Sequence, residues 1–365
     1  MRHRFHSFCP YFAMFPETFV EKWVDKLVRP SEVVLDPFCG RGTSAFQSIL
    51  MGRSAVACDV NPVAYCVTRA KTNAPSIAAL RRRITIIEKE YRPSALNHEV
   101  KALPNFFRAA FHRETLRQIL HLRRSLRWQQ TDVDCMLAAL VLGSLHGECN
   151  KSRAYMSNQM PRTISPKPRY AIDFWRKRNL IAPERDVFQV LRDRITFRYE
   201  TGVPERRGDV YWSDMRNLPE LLRGNGQNIR HVITSPPYFD ITNFEEDQWL
   251  RLWFLGNPPH PTYRKLSSDD RHSSPSKYWG MICDFWRVLG LLLGSKGHVV
   301  MRLGAKEQSP EQLAQRMLAT SSFSGRKVKM VEDYEVSAIK GRQTDSFRPG
   351  SKGCLVEVDF HFVMA

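Results

Sequence analysis

The sequence predicts an α/β fold built on a mostly parallel sheet. Three observations predict it: a strand–turn–helix–strand run from Glu32 to Asp59, a second alternation that resumes near Val210, and a β-rich C-terminus. In the first run, "EVVLD" is a short β-branched strand and "PFCGRGTS" a glycine turn. "AFQSILMG" is a helix closed by Gly52, and "SAVACD" is a second strand. In the second, "DVYWSD" and "IRHVITSPPY" are strands, a helix ends near Gly294, and "HVVMRLG" is a further strand. "DYEVSAIKG" and "CLVEVDFHFVMA", separated by the turn-rich "RQTDSFRPGSKG", read as a β-hairpin that finishes the sheet.

Between the two halves strand signals are sparse. In "ETLRQILHLRRSL", Leu116, Ile119 and Leu120 share one helical face with arginines opposite, and "CMLAALVLGSL" suits a buried helix. After "VITSPPYFD" comes "FEEDQWLRLWFLG". Its three carboxylates suit the first turn of a helix, with Trp249, Leu252 and Trp253 expected against the sheet. The division expected is 1–75 and 206–365 as two parts of one domain, with 76–205 as a helical insertion.

Charge is concentrated in that insertion. The chain of 365 residues carries 55 Lys and Arg against 37 Asp and Glu, a net +18, with a pI near 9.8. From Ser76 to Glu200 there are 24 Lys and Arg against 12 Asp and Glu, so about a third of the length holds about two thirds of the excess. For any one arginine a solvated helix face is the ordinary explanation; the concentration as a whole favours a polyanion, most often nucleic acid. The loop "SNQMPRTISPKPRY" adds hydroxyls, amides and bases suited to phosphates and base edges. Candidate phosphate contacts are Arg123, Arg124, Arg127, Arg162, Lys167 and Arg169.

Other classes are disfavoured. No stretch reaches the roughly 18 apolar residues of a membrane span, and the N-terminus lacks a signal-peptide pattern. Eight cysteines without a CxxC pair argue against a disulfide framework or zinc site and for a reducing, cytoplasmic setting. His3, His6 and Cys9 have ligand-like spacing without an evident fourth ligand, so no metal is expected.

The glycine turn narrows the chemistry. Gly40 and Gly42 fit the first two places of a dinucleotide-binding G-x-G-x-x-G, and Ala45 is a permitted substitute at the third. Asp59, ending the next strand, would hold ribose hydroxyls for NAD or for another nucleoside cofactor. Asp36-Pro37 puts a carboxylate at the first strand end, which suits a cationic, zwitterionic tail better than a pyrophosphate. S-adenosylmethionine has such a tail.

"SPPY" raises a different question, since prolines cannot donate to a sheet ladder and must end the strand. Together, "DPFCGRGT" and "TSPPY" resemble the amino-group DNA methyltransferases, which methylate cytosine N4 or adenine N6. "FHSFCPYFAMFPETFVEKW" resembles their first cofactor motif, with Phe15 and Pro16 on the methionine side. "ACDVNP" is similar to their ribose-binding strand end, and "WSDMRNLP" to the one whose acidic residue, Asp214 here, meets the adenine amino group, with Met215 beside it. The resemblance spans almost the whole chain outside the insertion.

It implies a Rossmann-like class I methyltransferase with a mostly parallel seven-stranded sheet, a C-terminal antiparallel hairpin, and S-adenosylmethionine as cofactor. Phe15, Pro16, Asp36, Pro37, Phe38, Gly40, Gly42, Thr43, Asp59, Asp214 and Met215 would hold the cofactor. Ser235, Pro236, Pro237 and Tyr238 would be catalytic. A base amine is a poor nucleophile until it pyramidalises, and acceptors on Ser235 and Pro236 would favour that geometry. Tyr238 would stack on the extruded base. The family pattern carries Asp or Asn where Ser235 stands, the form commoner in adenine enzymes, so serine leans towards cytosine N4. Double-stranded DNA is the expected partner, and the resemblance allows a cognate restriction endonuclease. The rivals are an adenine-N6 enzyme, an RNA amine methyltransferase, a DNA-binding protein with a dead cofactor site, and a nicotinamide oxidoreductase.

Overall fold

Apolar runs that end in a carboxylate or a hydroxyl become the central strands. The computed structural model describes every residue except 1, 12–14, 161–166, 225–227, 240–243, 263–273, 306–307, 332 and 339–355. The strands are β1 Val33–Asp36, β2 Ser54–Asp59, β3 Asp209–Trp212, β4 Ile229–Thr234, β5 Gly297–Ala305, β6 Val328–Met330, β7 Glu335–Ala338 and β8 Val356–Met364. They form one sheet in the order β3-β2-β1-β4-β5-β8-β6, with β7 also on β8.

The first five positions are parallel, and β8 runs antiparallel to β5 along all nine of its residues. β6 pairs with Phe362–Met364 and β7 with Val356–Asp359. The eight strands therefore fill seven positions, the last edge being split in two. β7 and β8 are the expected C-terminal hairpin. The fold is the Rossmann-like α/β class, and chain direction reverses across β1: the path moves outward to β2 and β3 on one side and to β4 and β5 on the other. The carboxyl ends of β1 and β4 lie at that switch point, the usual ligand position in open α/β sheets.

Strand alternation divides the core between two faces. Leu35, Val56, Val232, Val299 and Met301 pack with Ile282, Phe285 and Leu289 of the helix Pro275–Leu292. Val34, Ile233 and Val300 face Phe19, Val20, Trp23 and Val24 of the helix Glu17–Leu27. At the amino ends of β4 and β5 this second face carries His231 and His298 in place of aliphatics, stacked at 5.5 Å, with His361 of β8 3.0 Å from His298.

The chain divides into two compact units. One is Phe12–Thr68, Pro204–Asn243 and Ser267–Ala365, which holds the sheet; the other is Met1–Tyr11, Arg69–Val203 and Phe244–Leu266. The second unit is helical among the described residues. Leu116, Ile119 and Leu120 are buried in the helix Arg113–Ser125, and every residue from Asp134 to Leu142 is buried in the helix Asp132–Leu142. Arg198 ties the N-terminal residues to this unit by donating to the Arg4 carbonyl, the Ser7 hydroxyl and the Ser7 carbonyl, each at 2.6 Å.

Trp249 and Trp253, expected against the sheet, pack within the helical unit, with Trp253 4.4 Å from Phe107 and Trp249 5.0 Å from Phe106 between ring centroids. Their helical spacing demanded burial but did not specify a partner, and a nearby aromatic cluster supplies one.

Candidate functional site

The sheet unit gathers most of the nominated cofactor and catalytic residues at strand ends. Asp36 closes β1, Asp59 closes β2, Asp214 follows β3, and Ser235 follows β4. Among the described residues no helix is long and apolar enough to cross a membrane, and no three His, Cys, Asp or Glu side chains group as metal ligands.

Three apolar residues draw Asp36 into the sheet, where it is 0% exposed. Its Oδ1 accepts the Thr234 hydroxyl at 2.6 Å and the Phe38 amide at 3.2 Å. This links the first strand end to the residue before Ser235. Burial raises the Asp36 pKa to about 6, with Thr234, Ser44 and the Phe38 amide holding it from rising further. Yet Oδ2 lacks a regular hydrogen bond, and so does the Ser44 hydroxyl that lies near enough to influence it. A fully buried carboxylate oxygen with so little hydrogen bonding is costly. It is also the group a cationic ligand tail would satisfy.

The turn that follows needs its glycines. Gly40 and Gly42 have φ of 50° and 73°, and a Cβ on Gly42 would stand 2.5 Å from Thr68 Oγ1. Thr68 itself donates to the Gly40 carbonyl at 3.2 Å. Across the turn, Asp59 Oδ2 accepts the Gly40 amide at 2.8 Å and Oδ1 the Asn61 amide at 2.9 Å. The carboxylate thus sits at the end of β2, held by the backbone amides of the turn. Thr43 opens the helix Thr43–Leu50 and is buried, its hydroxyl accepting from Arg41 Nε at 3.3 Å.

Other nominated residues also make framework contacts. Phe15 lies in the cluster under Val34 and Ile233, and the exposed Pro16 caps the helix Glu17–Leu27. Phe38 packs on Phe285, Pro37 is buried, and Met215 lies in the core with Leu218. Asp214 is gripped by Arg216, whose backbone amide, Nε and Nη2 all donate to it at 2.9–3.0 Å. Arg216 was not foreseen.

The turn after β4 is fixed from behind. Ser235 Oγ donates to the Arg302 carbonyl at 2.9 Å, so its oxygen retains acceptor capacity. Pro236 is buried and Pro237 half-buried. Tyr238 is 4% exposed and donates to Glu357 Oε1 at 2.9 Å. Burial and then the Glu357 carboxylate push its phenol well above the ordinary value, so it stays protonated. A base stacks on this ring only if its cover gives way. The supporting Arg302, Glu357 and Asp359 also went unforeseen. An arginine inside the apolar "HVVMRLG" and two acids alternating in "VEVDF" were the available signals.

The nominated cations all belong to the helical unit, and they differ in how free they are. Arg123 donates from Nε to the Trp253 carbonyl at 2.8 Å and lies over its ring, while Arg124 pairs with Glu99. Arg127 is exposed. Lys167 is 64% exposed and only loosely paired, 3.8 Å from Glu246. Arg169 is exposed on the helix Pro168–Lys177, which buries Ala171 and Trp175 and leaves Tyr170 61% exposed. Arg162 lies outside the described residues.

Part of the chain resembles known methyltransferases. Residues 3–68 match the family model described as DNA methylase, N6_N4_Mtase. The resemblance to the amino-group methyltransferases is thereby shown. The chain is 28% identical over 119 residues to the Type II methyltransferase M.MvaI of Kocuria varians, covering 30% of this chain. That match spans about a quarter, 26%, of the relative's length. Two solved structures of the rRNA methyltransferase aviRa from Streptomyces viridochromogenes align at 13% identity with TM-scores of 0.33 and 0.32. They cover 97% and 96% of this chain and 87% and 86% of theirs, a likeness too slight to bear on the substrate.

Proposed function

We propose that the protein is an S-adenosylmethionine-dependent DNA methyltransferase acting on an exocyclic base amine, with cytosine N4 ahead of adenine N6. The observation that carries this reading is the 2.6 Å hydrogen bond from Thr234 to Asp36. It joins the strand end suited to a cationic cofactor tail to the turn suited to an amine, within a chain whose first 68 residues include the DNA methylase match.

S-adenosylmethionine, when bound, supplies an electrophilic methyl group on a sulfonium. Asp36 would receive the ammonium at its buried Oδ2, and Asp59 would accept from the ribose hydroxyls. Phe15 and Pro16 would flank the methionine side, and Asp214 and Met215 the adenine, with Asp214 leaving part of its Arg216 grip. Ser235 and the Pro236 carbonyl would accept from the base amine as it pyramidalises, favouring the geometry that frees its lone pair. Pro237 would hold the turn's φ, and Tyr238 would stack on the base extruded from the duplex. The serine at the first position of the turn is what favours cytosine over adenine.

Duplex DNA is the proposed partner, held through phosphates by 76–205, with Lys167 and Arg169 the most available of the nominated contacts. A cognate endonuclease and a cytoplasmic setting belong to the same proposal. Mass spectrometry of nucleosides from DNA incubated with protein and cofactor tests the reading. N4-methylcytosine is expected. N6-methyladenine alone would overturn the base assignment, and methylation of structured RNA but not DNA would overturn the substrate.

A further inference from the structure

Behind the Ser235–Tyr238 turn lies a buried charged group that the proposed chemistry does not use. Arg302, in the middle of β5, donates from Nε and Nη2 to the two oxygens of Asp359 at 2.6 and 2.7 Å. Its Nη1 reaches Glu357 Oε2 at 3.2 Å, and its guanidinium lies 4.3 Å from the Phe19 ring centroid. The arginine and Asp359 are 8% and 5% exposed. A buried ion group of this kind is weak evidence for stability, because desolvation offsets much of the attraction. Its cost directs attention to what it holds. Glu357, fixed through Oε2, offers Oε1 to Tyr238; the Arg302 backbone offers its carbonyl to Ser235.

The two hydroxyl protons of the turn are thus directed inward. Ser235 also lies beside the Tyr238 phenol. Whether its proton rests on the Arg302 carbonyl or on that phenol, it points into the protein. An inward proton leaves lone pairs outward, the arrangement an amine donor requires. Serine can otherwise rotate its O–H into the site and meet the amine donor to donor.

We propose that Glu357 and Arg302 are positioning residues of the Ser235–Tyr238 turn, holding its hydroxyl protons on the protein side so that it presents acceptors to the base amine. The inference rests on the methyltransferase reading and extends it to residues more than 60 positions away in sequence. Neither residue need touch substrate. Glu357 acts through Tyr238, and Arg302 through Glu357 and its own carbonyl.

The test combines turnover with a probe that needs no substrate. Glu357→Gln keeps the side chain's size but weakens the acceptor and its bond to Arg302. Single-turnover rate should fall about tenfold or more with cofactor affinity unchanged, as expected for losing a hydrogen bond to a charged group. Tyr238→Phe removes the partner, and the double variant should be no slower than the slower single. Asp359→Asn breaks the same ion group away from the turn and calibrates the effect of lost stability alone. In fluorotyrosine-labelled protein, the fluorine resonance that vanishes in Tyr238→Phe should move in Glu357→Gln. A stationary resonance overturns the proposal, as does a double variant with fully multiplied losses or a rate loss that follows melting temperature equally in Glu357→Gln and Asp359→Asn. A wild-type protein that moves no methyl group to DNA instead overturns the function, while the resonance still reports on the Tyr238–Glu357 bond.

Discussion

The sheet unit and the helical unit use charge in opposite ways. In the sheet unit, the carboxyl groups at the strand ends are held by specific hydrogen bonds: Asp36 by Thr234, Asp59 by the Gly40 amide, Asp214 by Arg216. In the helical unit cations are abundant, and many have found internal partners. Arg83 forks onto Asp134, Arg69 pairs with Asp132, and Arg123 is spent on a backbone carbonyl. A strand end places one polar group in a defined direction, so residue type there predicts chemistry. A helix surface places many, so positive charge predicts a class of partner but not which cations meet it.

Breaking the sheet side should have the largest effect. Ser235→Ala removes an acceptor needed as the amine pyramidalises, so turnover should fall roughly 10²-fold or more. Cofactor and DNA affinity should change little, because the lost interaction belongs to the transition state. Single-turnover methylation beside calorimetric binding separates the two quantities. Near-full activity would remove the catalytic role of the turn.

Asp59→Ala comes next. It deletes the acceptor proposed for the ribose together with the anchor of the Gly40 amide, and S-adenosylmethionine should bind about tenfold more weakly or worse. Calorimetry on protein with an unchanged circular dichroism spectrum reads this directly. An unchanged dissociation constant would detach Asp59 from the cofactor.

Much of the sheet side was legible because polar residues interrupt apolar runs. "VVLD" and "VACD" each end a buried strand in a carboxylate, and positive φ at Gly40 and Gly42 agrees with the glycine turn. Pairings across long separations were not legible. Nothing local in "HVVMRLG" says that Arg302 will meet Glu357 and Asp359, since a buried arginine identifies its need but not its partner. The split outer edge was hidden for another reason: β6 has three residues, too few for an alternation to show. On the helical side, amphipathic spacing gave burial correctly for Leu116 and Ile119. The destination of Trp253 and the commitment of Arg123 to its carbonyl, 130 residues distant, depend on tertiary packing.

A milder perturbation uses pH. With its pKa raised to about 6 by burial, Asp36 is largely neutral below that value and ionised above it. A cofactor ammonium prefers the ionised form, so affinity should weaken by up to about tenfold per unit as pH falls below about 6. The cofactor-free protein should show the opposite trend. A carboxyl whose folded pKa lies above its unfolded value of about 4 contributes stability that is fully present below about pH 4 and lost as pH rises through about 6. His231 acts in the reverse sense: burial lowers its pKa despite Glu32, so its contribution is lost as pH falls below about 6.5. Asp36→Asn separates the contributions. It should flatten the pH dependence of cofactor affinity while leaving the histidine effect on stability in place, and an unaltered affinity profile would exclude Asp36 as its source.

The smallest expected effect sharpens the helical side of the comparison. If exposed cations meet phosphates and committed ones do not, neutralising Lys167 and Arg169 should weaken DNA binding a few-fold near physiological salt. The log–log salt slope should become shallower by about 0.9 for each phosphate no longer neutralised. Arg123→Met should behave differently. Its Nε bond to the Trp253 carbonyl and its position over that ring make it a packing element, so the cost should appear in melting temperature with the salt slope kept. Arg127, exposed but on the segment just after the Arg113–Ser125 helix, separates exposure from location. A shallower slope in Arg127→Gln would extend the phosphate track to that segment; an unchanged slope would confine it towards Lys167 and Arg169. Titrations of one labelled duplex at several salt concentrations compare all three variants. If Arg123→Met flattens the slope and the Lys167/Arg169 pair does not, the internally bonded arginine is released on binding, and exposure in the free protein does not identify the residues that meet phosphate.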